Sequence, residues 1–437
     1  MVQIDVIGGG LAGCEAAYAL AQQGIPVTIW EMRPNKQTPV HQSGDLAELV
    51  CSNSLKSEQP DTAQGLLKRE MRILGSLLLD CADMVRVPAG SALAVDRAKF
   101  SRLVTEKILQ HPLITVRTQE MCSIPERPCI IATGPLTSAA MAKALQEISG
   151  EENLYFYDAV APTVTRASLD KEKIFKASRY GKGSADYYNC PMNKEEYLAF
   201  YQELLAADAL EPHAADQGMV FEGCMPIEFI ARRGVDTLRF GPMRPVGLNA
   251  PEGGSRPYAV VQLRQEDQDG NLWGLVGFQT RLRWGEQERV FRLIPGLENA
   301  EFVRYGVMHR NTYINSPRCL NADMQFKSCP GLFLAGQLTG VEGYMESAAS
   351  GIWAGLSMAR YLQGKEALML PRTTMLGALI HHITTETPGK FQPMNANYGI
   401  LPSLPEKIKD KKRRNLAYMT RSLDDLRKFS ELLHNAL

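Results

Sequence analysis

Apolar positions along the chain keep two rhythms, and the changes between them predict the elements. Gln3-Ile4-Asp5-Val6-Ile7 is a short, nearly continuous apolar run, which predicts a buried strand. Gly8-Gly9-Gly10-Leu11-Ala12-Gly13 follows at once. Leu11, Cys14, Ala17, Tyr18 and Ala21 then recur with helical period, and Gly24 is placed to close that helix. Pro26-Val27-Thr28-Ile29-Trp30 predicts a second strand, ending on Glu31. Further helices are expected where Leu66, Leu67, Met71, Leu74, Leu77 and Leu78 follow a capping Asp61 or Thr62. Another is expected where Phe100, Leu103, Val104 and Ile108 follow Asp96. The runs at 128–134 and 331–336 read as strands that each end in glycine, Gly134 and Gly336. A small-residue helix is expected from near Ser347, through Ala348, Ala349, Gly351 and Ala354.

The first of these patterns is a complete βαβ unit with Gly8-x-Gly10-x-x-Gly13 at its strand-to-helix turn. Gly8 permits the tight turn, Gly10 lets a pyrophosphate approach the backbone, and Gly13 lets helix and strand pack closely. Gly9, Leu11 and Ala12 complete a turn whose N–H groups and helix dipole suit an anion. Glu31, eighteen residues after Gly13, is placed to bind ribose hydroxyls. The late strand, the turn with Gly340 and Gly343, and the small-residue helix resemble the pattern of large FAD-dependent oxidoreductases. That resemblance implies FAD. No second such motif opens another βαβ unit, so NAD(P)H is expected to visit as a reductant and leave.

From about Tyr180 to about Pro295 the rhythm shortens to β-rich runs, such as 258–263 and 272–278, with a turn at Asp269-Gly270-Asn271. The expected fold is α/β: a Rossmann-type FAD-binding domain, residues 1–180 and 296–437, interrupted by a smaller inserted α+β domain at 181–295. Leu416, Leu423, Leu426, Phe429, Leu432 and Leu433 predict an amphipathic C-terminal helix.

Composition narrows the setting. The 437 residues exceed one ordinary core. Lys plus Arg and Asp plus Glu both number 48, so net charge announces no partner and any nucleic-acid surface must be local. The local candidate is 407–414, which holds six basic residues against one acid and includes Lys411, Lys412, Arg413 and Arg414. It reads either as a solvated face or as a phosphate contact. Nine cysteines without a CxxC argue against a disulfide framework or a metal site and fit a reducing cytosol. No basic leader and no membrane-length apolar run is visible, so a cytoplasmic location is expected. Oligomeric state is left open, a monomer among the options.

Several strings together resemble one family: IGGGLAGCEAA at 7–17, LVCSNSLKS at 49–57, FEGCMPIE at 221–228, RFGPMRPVGL at 239–248, YGVMHRNTYINSP at 305–317 and LFLAGQLTGVEGYMESAASG at 332–351. They resemble the folate- and FAD-dependent tRNA (uracil-5-)-methyltransferases, the TrmFO family, with the larger wobble-uridine MnmG family as a distant relative. The resemblance implies methylation of C5 of the T-loop uridine (position 54 in tRNA numbering). It implies 5,10-methylenetetrahydrofolate as carbon donor, reduced FAD as reductant and NAD(P)H to regenerate it. Wobble-uridine modification, a small-metabolite flavin dehydrogenase and a non-catalytic RNA-binding flavoprotein are the competing readings.

Uracil C5 is a poor nucleophile until a thiolate adds at C6, so such a site needs a cysteine nucleophile and a base for the C5 proton. Cys224 is the candidate nucleophile: Gly223 and Pro226 impose an irregular backbone, and Arg232 and Arg233 follow closely. Cys51, in a loop rich in capping side chains with Lys56 nearby, is the second candidate. The resemblance places it beside the flavin as base or flavin protector, and the division of labour between the two cysteines stays open. Cys14, Cys129 and Cys329 read as inert core thiols. His309 is a candidate to stack on the pterin, with Arg310 or Asn311 bonding its edge. A structural histidine is a comparable reading, and Tyr313 is a weaker candidate.

Overall fold

The computed structural model describes residues 3–126, 128–151, 154–181, 184–210, 225–248, 256–386 and 391–435. Five strands pair in parallel, in the order Leu332–Leu334, Cys129–Ile131, Ile4–Ile7, Val27–Glu31 and Ile114–Thr118. The central Ile4–Ile7 is buried throughout, as a strand covered on both faces must be. The helix Leu11–Gln22 packs on this sheet and against the helix Tyr344–Leu362. Small residues permit that contact: a methyl on Gly351 would stand 2.8 Å from Ala12 Cα. The late helix starts at Tyr344, three residues before the expected Ser347, because Gly343 serves as its N-cap.

A six-stranded antiparallel sheet forms a second layer, in the order Phe175–Lys176, Tyr187–Met192, Ala259–Gln265, Leu272–Leu275, Thr163–Thr165 and Phe302–Arg304. Its own apolar core runs in sequence from Val164 to Ala300, with Phe302 packed against it, and includes Trp273, Phe200, Phe278 and Phe291. The run expected to reach Phe278 ends at Leu275, and Gly277 beyond it has φ +78°. An antiparallel ribbon, Leu154–Ala159 with Met308–Tyr313, carries the chain between the two sheets. Side chains also join them: Arg97 bonds Glu266 at 2.7 Å, and Asn53 Nδ2 donates to Val95 O at 3.0 Å and Gln265 O at 2.9 Å.

The C-terminal helices return to the first sheet's side. Glu70 is fully buried and accepts N–H bonds from Met375 at 2.7 Å and Leu376 at 2.8 Å, opening the helix Met375–Thr384. Ser422, on the helix Lys411–Asn435, donates to the same carboxylate. On that last helix Leu426, Phe429 and Leu433 are buried, a stripe at i, i+3 and i+7. Leu432, expected on the apolar face, is 62% exposed. It sits about 100° around the helix from Leu433 and falls off the stripe. Among the described residues no helix is long and apolar enough to cross a membrane.

Candidate active site

The carboxyl ends of the five parallel strands open into one cleft of about 370 Å³, where ligands of such sheets bind. In chain order, Gly8, Gly10, Leu11 and Ala12 line it from the first strand, Glu31 from the second, Gly134 from the fourth and Gly336 from the fifth. Gly343 and Cys51 line it as well. Gly9 and Gly13 do not. Gly9 faces Leu46 and Glu31, and Gly13 lies against the carbonyl of Gly8.

Helix caps show what this cleft is shaped to hold. Thr62, Ser76, Asp96, Ser138 and Thr374 each cap a helix of the first unit by accepting a backbone N–H bond. Asp410 accepts from Arg413 N at 2.7 Å on the last helix. Among the described residues, the helices Leu11–Gln22 and Tyr344–Leu362 begin at Gly10 and Gly343 with no side-chain cap. Both starts lie in the cleft wall. Two uncapped helix N-termini offer free N–H donors and positive dipole to a ligand with phosphates or other electron-rich edges. The residues present fit a dinucleotide such as FAD.

Glu31 stands in the cleft wall at the end of the second strand. Its Oε2 accepts from Gly9 N at 2.9 Å, and its Oε1 accepts from Arg33 N and Nε, both at 3.0 Å. Burial works against the carboxylate, but the Arg33 guanidinium outweighs it and holds the pKa below the ordinary range. Arg33 also pairs with Glu48 at 3.3 Å and lines the cleft. Sequence reasoning missed it, although it stands two residues after Glu31, in the turn that follows the strand.

Cys51 is half-buried in the cleft wall. Its N–H donates to Tyr344 Oη at 2.7 Å, and Ser52 N–H to the same oxygen at 3.1 Å. Arg264, from the second sheet, donates to Asn53 Oδ1 at 2.8 Å and to Ser52 Oγ at 2.7 Å. The loop carrying Cys51 is therefore fixed from both layers. Tyr344 and Arg264 had no sequence signal, since their partners lie more than 200 residues away.

The remaining candidates lie apart or outside. Cys224 lies outside the described residues. Three residues after it, Ile227 N donates to Gln279 O at 2.7 Å, and Gln279 lines the cleft. His309 and Arg310 belong to the strand Met308–Tyr313 of the ribbon. Asn311, on the same strand, is fully buried with its amide unpartnered among the described residues, and it does not line the cleft. Tyr313 is buried, and burial pushes its phenol up. Lys411, Lys412 and Arg413 are exposed and Arg414 is half-buried, at the start of the last helix and outside the cleft wall. Cys14 and Cys129 are buried and Cys329 half-buried; burial pushes the Cys14 thiol far above its ordinary value.

Comparison with known proteins places the chain. The family model described as glucose inhibited division protein A matches residues 3–366. A methylenetetrahydrofolate-tRNA-(uracil-5-)-methyltransferase TrmFO from Syntrophomonas wolfei is 62% identical over 436 residues, covering 100% of both chains. Proteins of the same name from Moorella thermoacetica and Listeria welshimeri are 59% and 54% identical, covering 97% and 98% of this chain and 97% and 99% of theirs. Among solved structures, GidA from Aquifex aeolicus aligns over 100% of this chain and 74% of its own, with a TM-score of 0.73 at 17% identity, a likeness of fold. On full-length identity of this order, the chain belongs to the methylenetetrahydrofolate-tRNA-(uracil-5-)-methyltransferase (TrmFO) family.

Proposed function

We propose that the protein methylates C5 of the T-loop uridine of tRNA in the cytoplasm, with 5,10-methylenetetrahydrofolate as carbon donor and NAD(P)H as the source of reducing equivalents. The observation that carries this reading is the 62% identity to a protein of that name along the whole chain. The position of Cys51 in the wall of the cleft that begins at the glycine turn supports it.

In this reading Gly10 to Ala12 would hold the pyrophosphate of FAD, Glu31 a ribose, and Gly336 and Gly343 its ring. When bound, it supplies the electrons that bring the transferred carbon to the methyl level. Cys224 adds as thiolate to uracil C6, which makes C5 nucleophilic toward the one-carbon unit. Cys51 removes the C5 proton or shields the flavin. Tyr344 and Arg264 hold the Cys51 loop, so that its thiol meets substrate in one position. His309 to Asn311 serve the folate, and Lys411 to Arg414 contact tRNA phosphates. The inserted unit, whose apolar core spans 164–300, contributes Cys224.

The test is incubation with unmodified tRNA transcript, labelled methylenetetrahydrofolate and NAD(P)H, followed by nucleoside analysis. Label in 5-methyluridine at the T-loop is expected, and label in a wobble nucleoside would replace this reading with the alternative. Transcript containing 5-fluorouracil should trap a covalent complex that Cys224→Ala cannot form. A crosslink mapping to Cys51 would reverse the two roles, and no crosslink in any variant would remove the tRNA reading.

A further inference from the structure

At the mouth of the late helix three groups converge. Lys56 lies on the strand Ser54–Ser57, whose pairing with Ala92–Val95 is irregular between Ser54 and Ser57. Its φ is +63°, a left-handed conformation that lysine rarely adopts. Irregular pairing of this kind re-aims a side chain, and it clusters beside active sites. Here it turns Lys56 into the cleft, where Nζ stands 3.2 Å from Glu346 Oε1.

Glu346 belongs to the first turn of the helix and is 1% exposed. Its Oε1 also accepts from Ala396 N at 3.1 Å, while Oε2 is buried with no hydrogen-bond partner among the described residues. Both groups sit on Gly343, the helix N-cap: a methyl there would overlap Glu346 Oε2 and lie 2.7 Å from Lys56 Nζ. Beneath them Lys68 is buried, donating from Nζ to Ser57 O at 2.9 Å. Burial lowers its pKa to about 8, opposed chiefly by the charge of Glu346. Lys56 and the helix start at Gly343 thus meet in the cleft wall, with Glu346 behind the lysine and Glu342 also in the wall; a lysine beside a helix N-terminus favours an electron-rich ligand edge, and the carboxylates temper that preference.

We propose that Lys56, aimed by its left-handed backbone and paired with Glu346, is the cation that faces the pyrimidine edge of the flavin and favours its reduced state. This rests on the reading that the cleft holds FAD. Two electrons and one proton, delivered as hydride by a nicotinamide, leave the reduced ring with one negative charge. A cation at that edge stabilises the charge, and Glu346 limits how strongly. The pair then sets the reduction potential from opposite sides.

The experiment is a spectroscopic redox titration of FAD in the holoenzyme and three variants. Lys56→Met should weaken reduced-over-oxidised flavin binding about tenfold, a fall in midpoint potential of about 30 mV for a two-electron couple. Lys56→Arg should restore the wild-type value, and Glu346→Gln should raise it. Opposite shifts are the signature, because general damage to the cleft moves both variants the same way. Unchanged potentials, or shifts of one sign, overturn the proposal. Should Lys56→Met lose its flavin, the decision passes to Lys56→Arg and Glu346→Gln: a near-native value with a raised one supports it, and an unmoved Glu346→Gln overturns it. Wild-type protein that binds no FAD would instead remove the functional reading on which this rests.

Discussion

Gly10→Ala separates what the fold needs from what the ligand needs. Gly10 has φ −75° and ψ −170°, ordinary extended backbone open to any residue. A Cβ built there meets nothing within 4 Å. Neither conformation nor packing in the protein alone therefore asks for glycine, yet the position lines the cleft. Stability without ligand should change by no more than about 0.5 kcal/mol, or rise by up to about 1 kcal/mol through lost unfolded-state entropy. FAD is another matter. A phosphate oxygen bonded to backbone N–H sits at about 2.9 Å, and an added methyl competes for that space. Steric overlap of this kind costs about 1–3 kcal/mol, or roughly 5- to 150-fold in Kd. Gly13→Ala provides the contrast, since its methyl would overlap Gly8 O and lie 3.0 Å from Gly8 C, backbone atoms that cannot swing aside. Thermal melts of flavin-free protein and a fluorescence titration with FAD measure the two quantities. The expected pattern is a native-like melt with weak FAD binding for Gly10→Ala, and a lowered melt for Gly13→Ala. Unchanged FAD affinity in Gly10→Ala, or a ligand-free melt several degrees lower, would refute the placement of the pyrophosphate.

Replacing Lys411, Lys412, Arg413 and Arg414 by neutral residues should weaken tRNA binding and reduce the log–log salt slope by roughly 0.7–0.9 per lost phosphate contact. An unchanged slope marks a solvated face. Arg264→Met should lower methylation on the order of tenfold or more with FAD retained, because Ser52 and Asn53 lose their shared anchor; Arg264→Lys, lacking the planar fork, should not rescue it. Full activity in Arg264→Met would show that Cys51 is positioned without it. Glu15 and Glu70 are each raised to about 7 by burial. The folded state thus binds these protons more tightly than the unfolded chain, so their contribution to stability is present below pH about 4.5 and lost as pH rises toward about 7. A Glu15→Gln, Glu70→Gln double variant should show a shallower pH dependence in denaturant unfolding; an identical profile would mean that the two carboxylates do not titrate there.

Local pattern carries the parts of this fold that are local. The glycine turn, the strand ends at Gly134 and Gly336, and the caps at Thr62 and Asp96 follow from residues within a few positions of one another. Stripe geometry is less forgiving, as Leu432 shows: its neighbours set the helix, and one position off the stripe exposes it. Contacts between distant segments leave no periodic trace. Arg264 meets Ser52 across 212 residues, and Lys56 meets Glu346 across 290. Arg264 and Glu346 read in isolation as ordinary surface charges, and only the folded chain brings them against the residues that line the cleft.

The basic start of the last helix carries a tension of its own. A helix N-terminus favours acids and disfavours cations by about 0.3–1 kcal/mol each, yet the first turn here holds Lys411, Lys412, Arg413 and Arg414 and no acid. Asp410 offsets part of this from the capping position, through its bond to Arg413 N. Leu426, Phe429, Leu433 and the Ser422–Glu70 bond hold the helix from its far half, so its register does not depend on the first turn. A polyanion laid across that turn would satisfy the cations and the dipole together. The C-terminal half anchors the element in the fold, and at the N-terminal end Asp410 offsets the clustered cations only in part among the described residues.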